Sequence, residues 1–376
     1  MRLIWHIFRW TCALFFGLIT ISMLLLHNWV GMLLLLLITL ISLPPLTSLA
    51  EKKIRRSIHP ALKPALVSGL FIIFIFQLIG PEAVSIYGSP EVEKRLMAIY
   101  DEKMQNWPVP YQDVFLDTEY GTVHVIVSGS ENAPPVLMLH ASGVSSWSWK
   151  YNAAALSEKY RLYAVDLIGD AGKSRYRNLK NIMRNGRDQA HLYRQVTTLL
   201  GLEKVRVVGA SEGGFIASNF AMYESDRVEK LVLLAPMGYA GSLQSIIRIT
   251  IAQLFPLKII HDRTFSWAFS DDSRLKSEYS EWFPLVMRGL IPAKVPPLPF
   301  QAEERELIRV PALFVFGKRD NLVGDPENAK RLVQDMPAVR VEIVDAGHLM
   351  AAEKPDVVNR LIIDFFGPDS ITDVDI

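Results

Sequence analysis

The chain is organised around the stretch Val207-Val-Gly-Ala-Ser-Glu-Gly-Gly214, in which a serine stands between two glycines. An apolar run over residues 204–208 predicts a strand before it, and residues 215–223 are typical of a helix after it. A Gly-x-Ser-x-Gly motif at such a turn presents a serine hydroxyl on strained backbone, and the glycines leave out side chains that would collide there. The motif also occurs in ordinary turns. We interpret Ser211 as a nucleophile only because suitable partners follow in the chain.

A serine hydroxyl needs a base, and the base needs an acid that orients it. Asp320 follows an apolar strand that ends in glycine, and His348 follows an alternating strand. Taken alone, the first could be a turn acid and the second a core histidine. Because both come at the carboxyl ends of strands, and in the order serine, acid, histidine, they predict a catalytic triad with Ser211. Asp325 is the alternative acid, but it has the position of a helix N-cap before Pro326.

Further motifs surround these three residues. The set comprises Leu139-His-Ala-Ser142, Trp149, Asp166-Leu-Ile-Gly-Asp-Ala-Gly-Lys-Ser174, Gly209-Ala-Ser-Glu-Gly213, Gly317-Lys-Arg-Asp320 and Ala346-Gly-His348. With them, residues 89–366 resemble the α/β-hydrolases, and among these the bacterial carboxylesterases. We interpret residues 166–174 as a structural loop whose acids bind nearby backbone.

The resemblance implies the α/β-hydrolase fold: a mostly parallel sheet covered by helices on both faces, with a helical cap insertion. The apolar strands that alternate with helices favour the same α/β class. The backbone N–H of Glu212, at the start of the predicted helix, is a candidate donor to an oxyanion. The resemblance assigns the second donor to Ser142, although this chain has His140-Ala141 where the family usually has His-Gly. No metal or organic cofactor is implied.

The composition limits the possible partners. Forty lysines and arginines against 39 aspartates and glutamates leave a net charge of +1, which gives no reason to expect nucleic acid binding. The single cysteine, Cys12, cannot form a disulfide within the chain. The chain is 50% hydrophobic with a mean hydropathy of +0.20, and the excess is concentrated near its N-terminus.

Residues 1–85 predict a membrane anchor with three transmembrane helices, over 10–27, 29–49 and 61–80. The first run could instead be a signal peptide, but no cleavage site of small residues follows it. Cations mark the cytoplasmic ends of spans. Arg2 and Arg9 precede the first run. The loop before the third run contains Lys52, Lys53, Arg55, Arg56 and Lys63. This pattern predicts a multi-pass protein of the cell membrane with an extracytoplasmic hydrolase domain. If the short third run does not cross, that domain is cytoplasmic.

The remaining chain divides into a linker helix over 86–112, a hydrolase domain over 113–366 and a tail over 367–376. Residues 237–300 interrupt the alternation of strands and helices, and we predict that they form the cap. Their many aromatic and aliphatic side chains favour a pocket for apolar acyl or aryl groups.

These features together predict a membrane-anchored serine hydrolase that cleaves carboxylic esters through an acyl-enzyme. Its partners would be a small-molecule or lipid ester and the lipid bilayer. An acyltransferase, a thioesterase or a lysophospholipase would use the same triad. A non-catalytic binding module is the alternative from another class of protein. A dehalogenase is disfavoured because it needs a carboxylate at the position of Ser211.

Overall fold

The computed structural model describes residues 86–239, 258–268, 272–290 and 294–367, with isolated positions at 10, 16–17, 36–39 and 248. The chain divides into two compact units, one of Met1–Ala83 with Thr250–Ile260 and one of Val84–Ile249 with His261–Ile376. Nearly all of the three predicted spans lies outside the described residues. Within the described parts, no helix combines the length and the apolar character needed to cross a membrane.

The described elements of the second unit alternate between strands and helices for most of its length. The strands are β1 (Tyr111–Asp117), β2 (Gly121–Ser128), β3 (Pro135–Leu139), β4 (Arg161–Val165), β5 (Arg175–Tyr176), β6 (Val205–Ala210), β7 (Val228–Leu234), β8 (Ala312–Gly317) and β9 (Val339–Val344). The helices are α1 (Pro90–Met104), α2 (Lys150–Ser157), α3 (Gly186–Leu199), α4 (Glu212–Tyr223), α5 (Lys258–Ala268, whose first three residues fall in the other unit), α6 (Ser273–Tyr279), α7 (Trp282–Gly289), α8 (Ala302–Arg305), α9 (Pro326–Val333), α10 (Met350–Glu353) and α11 (Pro355–Phe366). Short 3-10 helices cover Ser146–Trp149 and Ser225–Arg227.

The sheet has the order β1-β2-β4-β3-β6-β7-β8-β9, with β5 paired to β2. β1, β2 and β4 pair antiparallel, whereas β3, β4 and β6 to β9 form a parallel block. Every residue of β8 is buried, which is the composition expected of a parallel strand covered on both faces. The predicted α/β class and mostly parallel sheet are confirmed.

The parallel pairing brings the carboxyl ends of β3, β6, β7, β8 and β9 to one edge of the sheet. In register, Leu139 lies opposite Gly209, and Gly317 lies opposite Val344. The candidate residues Ser142, Ser211, Asp320 and His348 all lie in segments that follow these strand ends. The sheet therefore concentrates the predicted chemistry at one edge.

The predicted linker helix begins at Pro90, where the Ser89 side chain accepts a hydrogen bond from the Val92 N–H at 3.2 Å. It buries residues such as Leu96 and Tyr100 and belongs to the same compact unit as the sheet. The proposed boundary at 112 falls inside β1, because that strand already begins at Tyr111.

The described part of the predicted cap contains α5, α6, α7 and an irregular return over 294–300. Residues 250–260 of this range fall in the first compact unit and the other residues in the second. Tyr87 forms an antiparallel bridge with Leu290, the residue directly after α7. The first described residues of the second unit are therefore bonded to the end of α7. The predicted tail lies outside the described residues after position 367.

Candidate active site

Ser211 stands between β6 and α4 with backbone angles of φ +51° and ψ −112°. Such positive φ values are rare for residues other than glycine and mark a strained turn. The surrounding backbone holds the conformation. The Ser211 N–H donates to Leu234 O at 2.9 Å, and the Ser211 carbonyl accepts from the Phe215 and Met237 N–H groups at 3.1 and 3.0 Å.

The two glycines of the motif are required by close backbone contacts. A Cβ on Gly209 would lie 2.8 Å from the Gly214 Cα. A Cβ on Gly213 would lie 2.6 Å from His140 O and closer still to Leu139 O. The Gly213 N–H also donates to His140 O at 3.1 Å. The turn therefore packs directly against the end of β3.

The structure brings the three predicted triad residues into one hydrogen-bonded chain. Ser211 Oγ lies 2.8 Å from His348 Nε2, and His348 Nδ1 lies 2.7 Å from Asp320 Oδ2. The other Asp320 oxygen accepts from the Leu322 and Val323 N–H groups at 2.9 and 3.0 Å, which fixes the carboxylate. Because a carboxylate accepts, Nδ1 carries the proton in neutral imidazole and Nε2 is left to accept from the serine. All three side chains are buried.

The alternative acid, Asp325, has a different partner. Its side chain caps α9 by accepting from the Glu327 N–H at 3.0 Å, with Pro326 at the first helical position. This is the N-cap arrangement that the sequence indicates. Among the described contacts, the carboxylate that meets His348 is that of Asp320.

Glu212 provides the first backbone N–H of α4, and a helix offers no acceptor to its first N–H groups. The Ser142 N–H belongs to the loop after β3, where the ring of His140 orients the backbone. His140 Nε2 accepts from the Leu167 N–H at 3.0 Å, so Nδ1 carries the proton and donates to Ala141 O at 2.8 Å. The Ser145 N–H at 3.2 Å from Nδ1 is not a donor in this tautomer. Because the peptide is planar and trans, fixing the Ala141 carbonyl also fixes the Ser142 N–H.

Lys294 joins the side chains of both candidate oxyanion residues, and sequence reasoning missed it. Its Nζ lies 2.8 Å from Ser142 Oγ, 2.6 Å from Glu212 Oε2 and 2.7 Å from Asp170 Oδ2. Burial disfavours the ammonium, but the charges of the two carboxylates outweigh it and raise the pKa of Lys294. Burial would raise the pKa of Asp170, yet Lys294 holds that pKa below its ordinary value. The sequence signal is slight: one cation before a proline-rich, largely apolar return to the sheet.

A second buried polar cluster lies outside the candidate triad. Asp166 Oδ2 lies 2.8 Å from His124 Nδ1 and accepts from the Lys173 N–H at 2.7 Å. His124 Nε2 lies 2.6 Å from Asp113 Oδ1. Burial opposes charge on the ring, but the two carboxylates outweigh it and raise the pKa of His124. Burial would likewise raise the pKa of Asp166, whereas the hydrogen bond from His124 lowers it. The interpretation of 166–174 as a structural loop agrees with the hydrogen bonds that Asp166 accepts from the Lys173 and Ser146 N–H groups.

A cleft that is partly open to solvent lies beside His348. Its walls are mainly apolar and include Trp149, Leu234 and Met350. Tyr279 lines it from α6, one of the helices in the predicted cap. The candidate base, His348, therefore faces a space suited to an apolar group.

Comparisons with known proteins agree with this geometry. The model of the alpha/beta hydrolase family matches residues 136–361. The uncharacterized carboxylesterase nap of Bacillus subtilis is 30% identical over 300 residues, which cover 73% of this chain and 93% of that protein.

Two crystal structures from Bacillus subtilis share the fold, each with 29% sequence identity. Carboxylesterase CesB (YbfK) has a TM-score of 0.67, and the match covers 73% of this chain and 98% of that chain. Naproxen esterase (carboxylesterase NP) has a TM-score of 0.68, and the match covers 74% of this chain and 99% of that chain. By the extent of the family match and the identity to its members, this chain belongs to the alpha/beta hydrolase family.

Proposed function

We propose that the protein is a serine hydrolase that cleaves carboxylic esters. The observation that carries the proposal is the chain of hydrogen bonds from Ser211 Oγ through His348 to Asp320, at 2.8 and 2.7 Å. This is the reach that a nucleophile, its base and an orienting acid require. The similarity to proteins named carboxylesterase and naproxen esterase supports the same reaction.

In this mechanism, Ser211 Oγ attacks the ester carbonyl carbon while His348 Nε2 takes the hydroxyl proton. The tetrahedral intermediate collapses, the ester C–O bond breaks, and His348 returns the proton to the leaving alcohol. Water then attacks the acyl-enzyme, giving its proton to His348, and the carboxylic acid leaves as Ser211 regains its proton. Asp320 orients the imidazole and stabilises its charged form.

The Glu212 and Ser142 N–H groups would hold the oxyanion of each tetrahedral intermediate. Supporting observations are the position of Glu212 at the start of α4 and the bond from His140 to the Ala141 carbonyl. The positive end of the α4 dipole adds to the stabilisation.

The substrate would be an ester with an apolar acyl or aryl part. The apolar walls of the cleft beside His348 support this choice, with Tyr279 contributed by the predicted cap. A charged group there would lose its hydration with little in these walls to replace it.

The test combines a fluorophosphonate probe with p-nitrophenyl esters of increasing acyl length. We expect the probe to label wild type and not Ser211→Ala, and Ser211→Ala to lower kcat by roughly 10⁴–10⁶-fold with the fold intact. Full activity in a folded Ser211→Ala variant would refute the proposal. Absence of both labelling and hydrolysis in wild type would favour a non-catalytic binding module. If an added alcohol speeds up product formation and the product is a new ester, the result would favour an acyltransferase.

We further propose that residues 1–85 anchor the enzyme in the cell membrane with the hydrolase domain outside the cytoplasm. The support is the sequence itself: three apolar runs and the cations that precede the first and third. Alkaline phosphatase fused after Ser89 should be active and green fluorescent protein at the same position dark. The opposite pair of results would place the hydrolase domain in the cytoplasm.

A further inference from the structure

We infer that Lys294 is a positioning residue for the oxyanion site, holding the two donor segments together and compensating the carboxylates buried beside them. The inference rests on the proposed function, because it concerns the same tetrahedral intermediate. Lys294 itself does not have to touch the substrate.

The geometry places one ammonium at the junction of three chain segments. Ser142 follows β3, Asp170 follows β4, and Glu212 begins α4; their oxygens lie 2.8, 2.7 and 2.6 Å from Lys294 Nζ. Asp170 Oδ2 also accepts from the Gly143 N–H at 2.8 Å, so the residue next to Ser142 is tied to the same centre. An ammonium has three hydrogens to donate, and here three oxygens receive them.

The charges explain why the lysine matters for chemistry as well as for folding. The Asp170 and Glu212 side chains are 1% and 6% exposed. With Lys294 the cluster carries a net charge of −1, and without it the charge becomes −2 in contact with the segments that carry the two candidate donors. Like charges in a partly desolvated site repel strongly, so the transition state would be destabilised more than the bound ester. Loss of the ammonium would also leave buried carboxylates uncompensated, which favours movement of their loops.

Lys294 lies in the segment between β7 and β8, at the first residue of the irregular return over 294–300. Glu212, at the start of α4, lies 82 residues earlier in the chain than Lys294, and Ser142, in the loop after β3, lies 152 residues earlier. The position of this return segment and the geometry of the oxyanion donors are therefore linked through one side chain.

The experiment compares Lys294→Met, Glu212→Gln and the double variant with wild type. We expect Lys294→Met to lower kcat by about 10- to 100-fold with KM changed less than about threefold, since a displaced donor acts mainly in the transition state. An alkyl boronic acid, whose serine adduct is tetrahedral and anionic, should bind more weakly by a similar factor. Glu212→Gln removes one carboxylate, so the double variant should recover at least threefold in kcat over Lys294→Met.

The matched control is Arg206→Met, which breaks a partly buried ion pair with Glu229 at the far end of β6 from Ser211. We expect it to lower thermal stability and leave kcat per active site unchanged. Active sites are counted by the burst of fluorophosphonate labelling, so that misfolded protein does not lower the apparent rate.

The inference is overturned if Lys294→Met keeps kcat within twofold of wild type, if Arg206→Met loses as much, or if the double variant recovers nothing. Failure of the proposed function has a separate signature, because wild type itself would then neither hydrolyse esters nor react with the probe.

Discussion

Replacing Gly213 with alanine tests the packing of the serine turn against the end of β3. The new Cβ would lie 2.6 Å from His140 O and closer to Leu139 O, so the backbones must separate by about 1 Å to reach a normal contact of about 3.5 Å. β3 is bonded to β4 and β6 and cannot yield freely. Overpacking of this kind costs about 1–3 kcal/mol, against a gain of at most about 1 kcal/mol in helix propensity.

We therefore expect Gly213→Ala to lose about 1–2 kcal/mol of stability, seen as a Tm lowered by about 2–4 °C. The same shift separates the Glu212 and Ser142 donors, since the Gly213 N–H bonds His140 O between them. A misplacement of about 1 Å costs about 100-fold in rate, so kcat should fall by that order at 25 °C, where the variant remains folded.

Gly201→Ala is the matched control. Gly201 follows α3 with φ +72° and nothing within 4 Å of an added Cβ. Alanine there is strained by about 1 kcal/mol without a steric contact, so Tm should fall while kcat is retained. Circular dichroism during thermal unfolding measures Tm, and hydrolysis of p-nitrophenyl acetate measures kcat. A Gly213→Ala variant with wild-type Tm and kcat would show that the turn does not depend on this contact.

Three further outcomes follow from the polar contacts. Asp320→Asn should lower kcat about 10⁴-fold because the amide favours the wrong imidazole tautomer. Asp325→Asn should keep activity, since asparagine caps helices as well as aspartate does. The reverse result would make Asp325 the acid of the triad. Steady-state kcat/KM should fall on acidification, because protonated His348 cannot accept the serine proton, and a flat profile in folded protein would exclude it as the base. The pKa of His124 is raised in the folded protein, so its charged ring stabilises the fold. This stabilisation is fully present below about pH 6.5, where the ring is charged in both the folded and the unfolded state, and it is lost as the pH rises through the raised pKa. Asp113→Asn should therefore lower Tm most between about pH 5 and 6.5 and least at alkaline pH; a pH-independent difference would contradict this.

The sequence was informative wherever function depends on short local patterns placed at strand ends. The Gly-x-Ser-x-Gly motif specifies a tight turn because only glycine fits beside the adjacent backbone, as the contacts of Gly209 and Gly213 show. Strands with apolar residues throughout predicted a sheet covered on both faces. In a parallel sheet the ends of such strands meet, so residues 109 and 137 positions after Ser211 could be expected near it.

The tertiary structure decided the contacts that no local pattern encodes. Lys294 reaches Ser142 across 152 residues and Asp170 across 124, and its position depends on how an irregular segment returns to the sheet. Tyr279 of α6 lines the same cleft as His348, and hydrophobicity alone could not distinguish this role from ordinary core packing. The sequence already favoured Asp320 over Asp325, because Asp325 has the position of a helix N-cap before Pro326, and the coordinates added the contact between Asp320 and the imidazole. By itself, the sequence determined the family fold and the candidate triad, since strand ends and turns are local. Only the tertiary structure decided what surrounds the triad, since those contacts join segments that are distant in the chain.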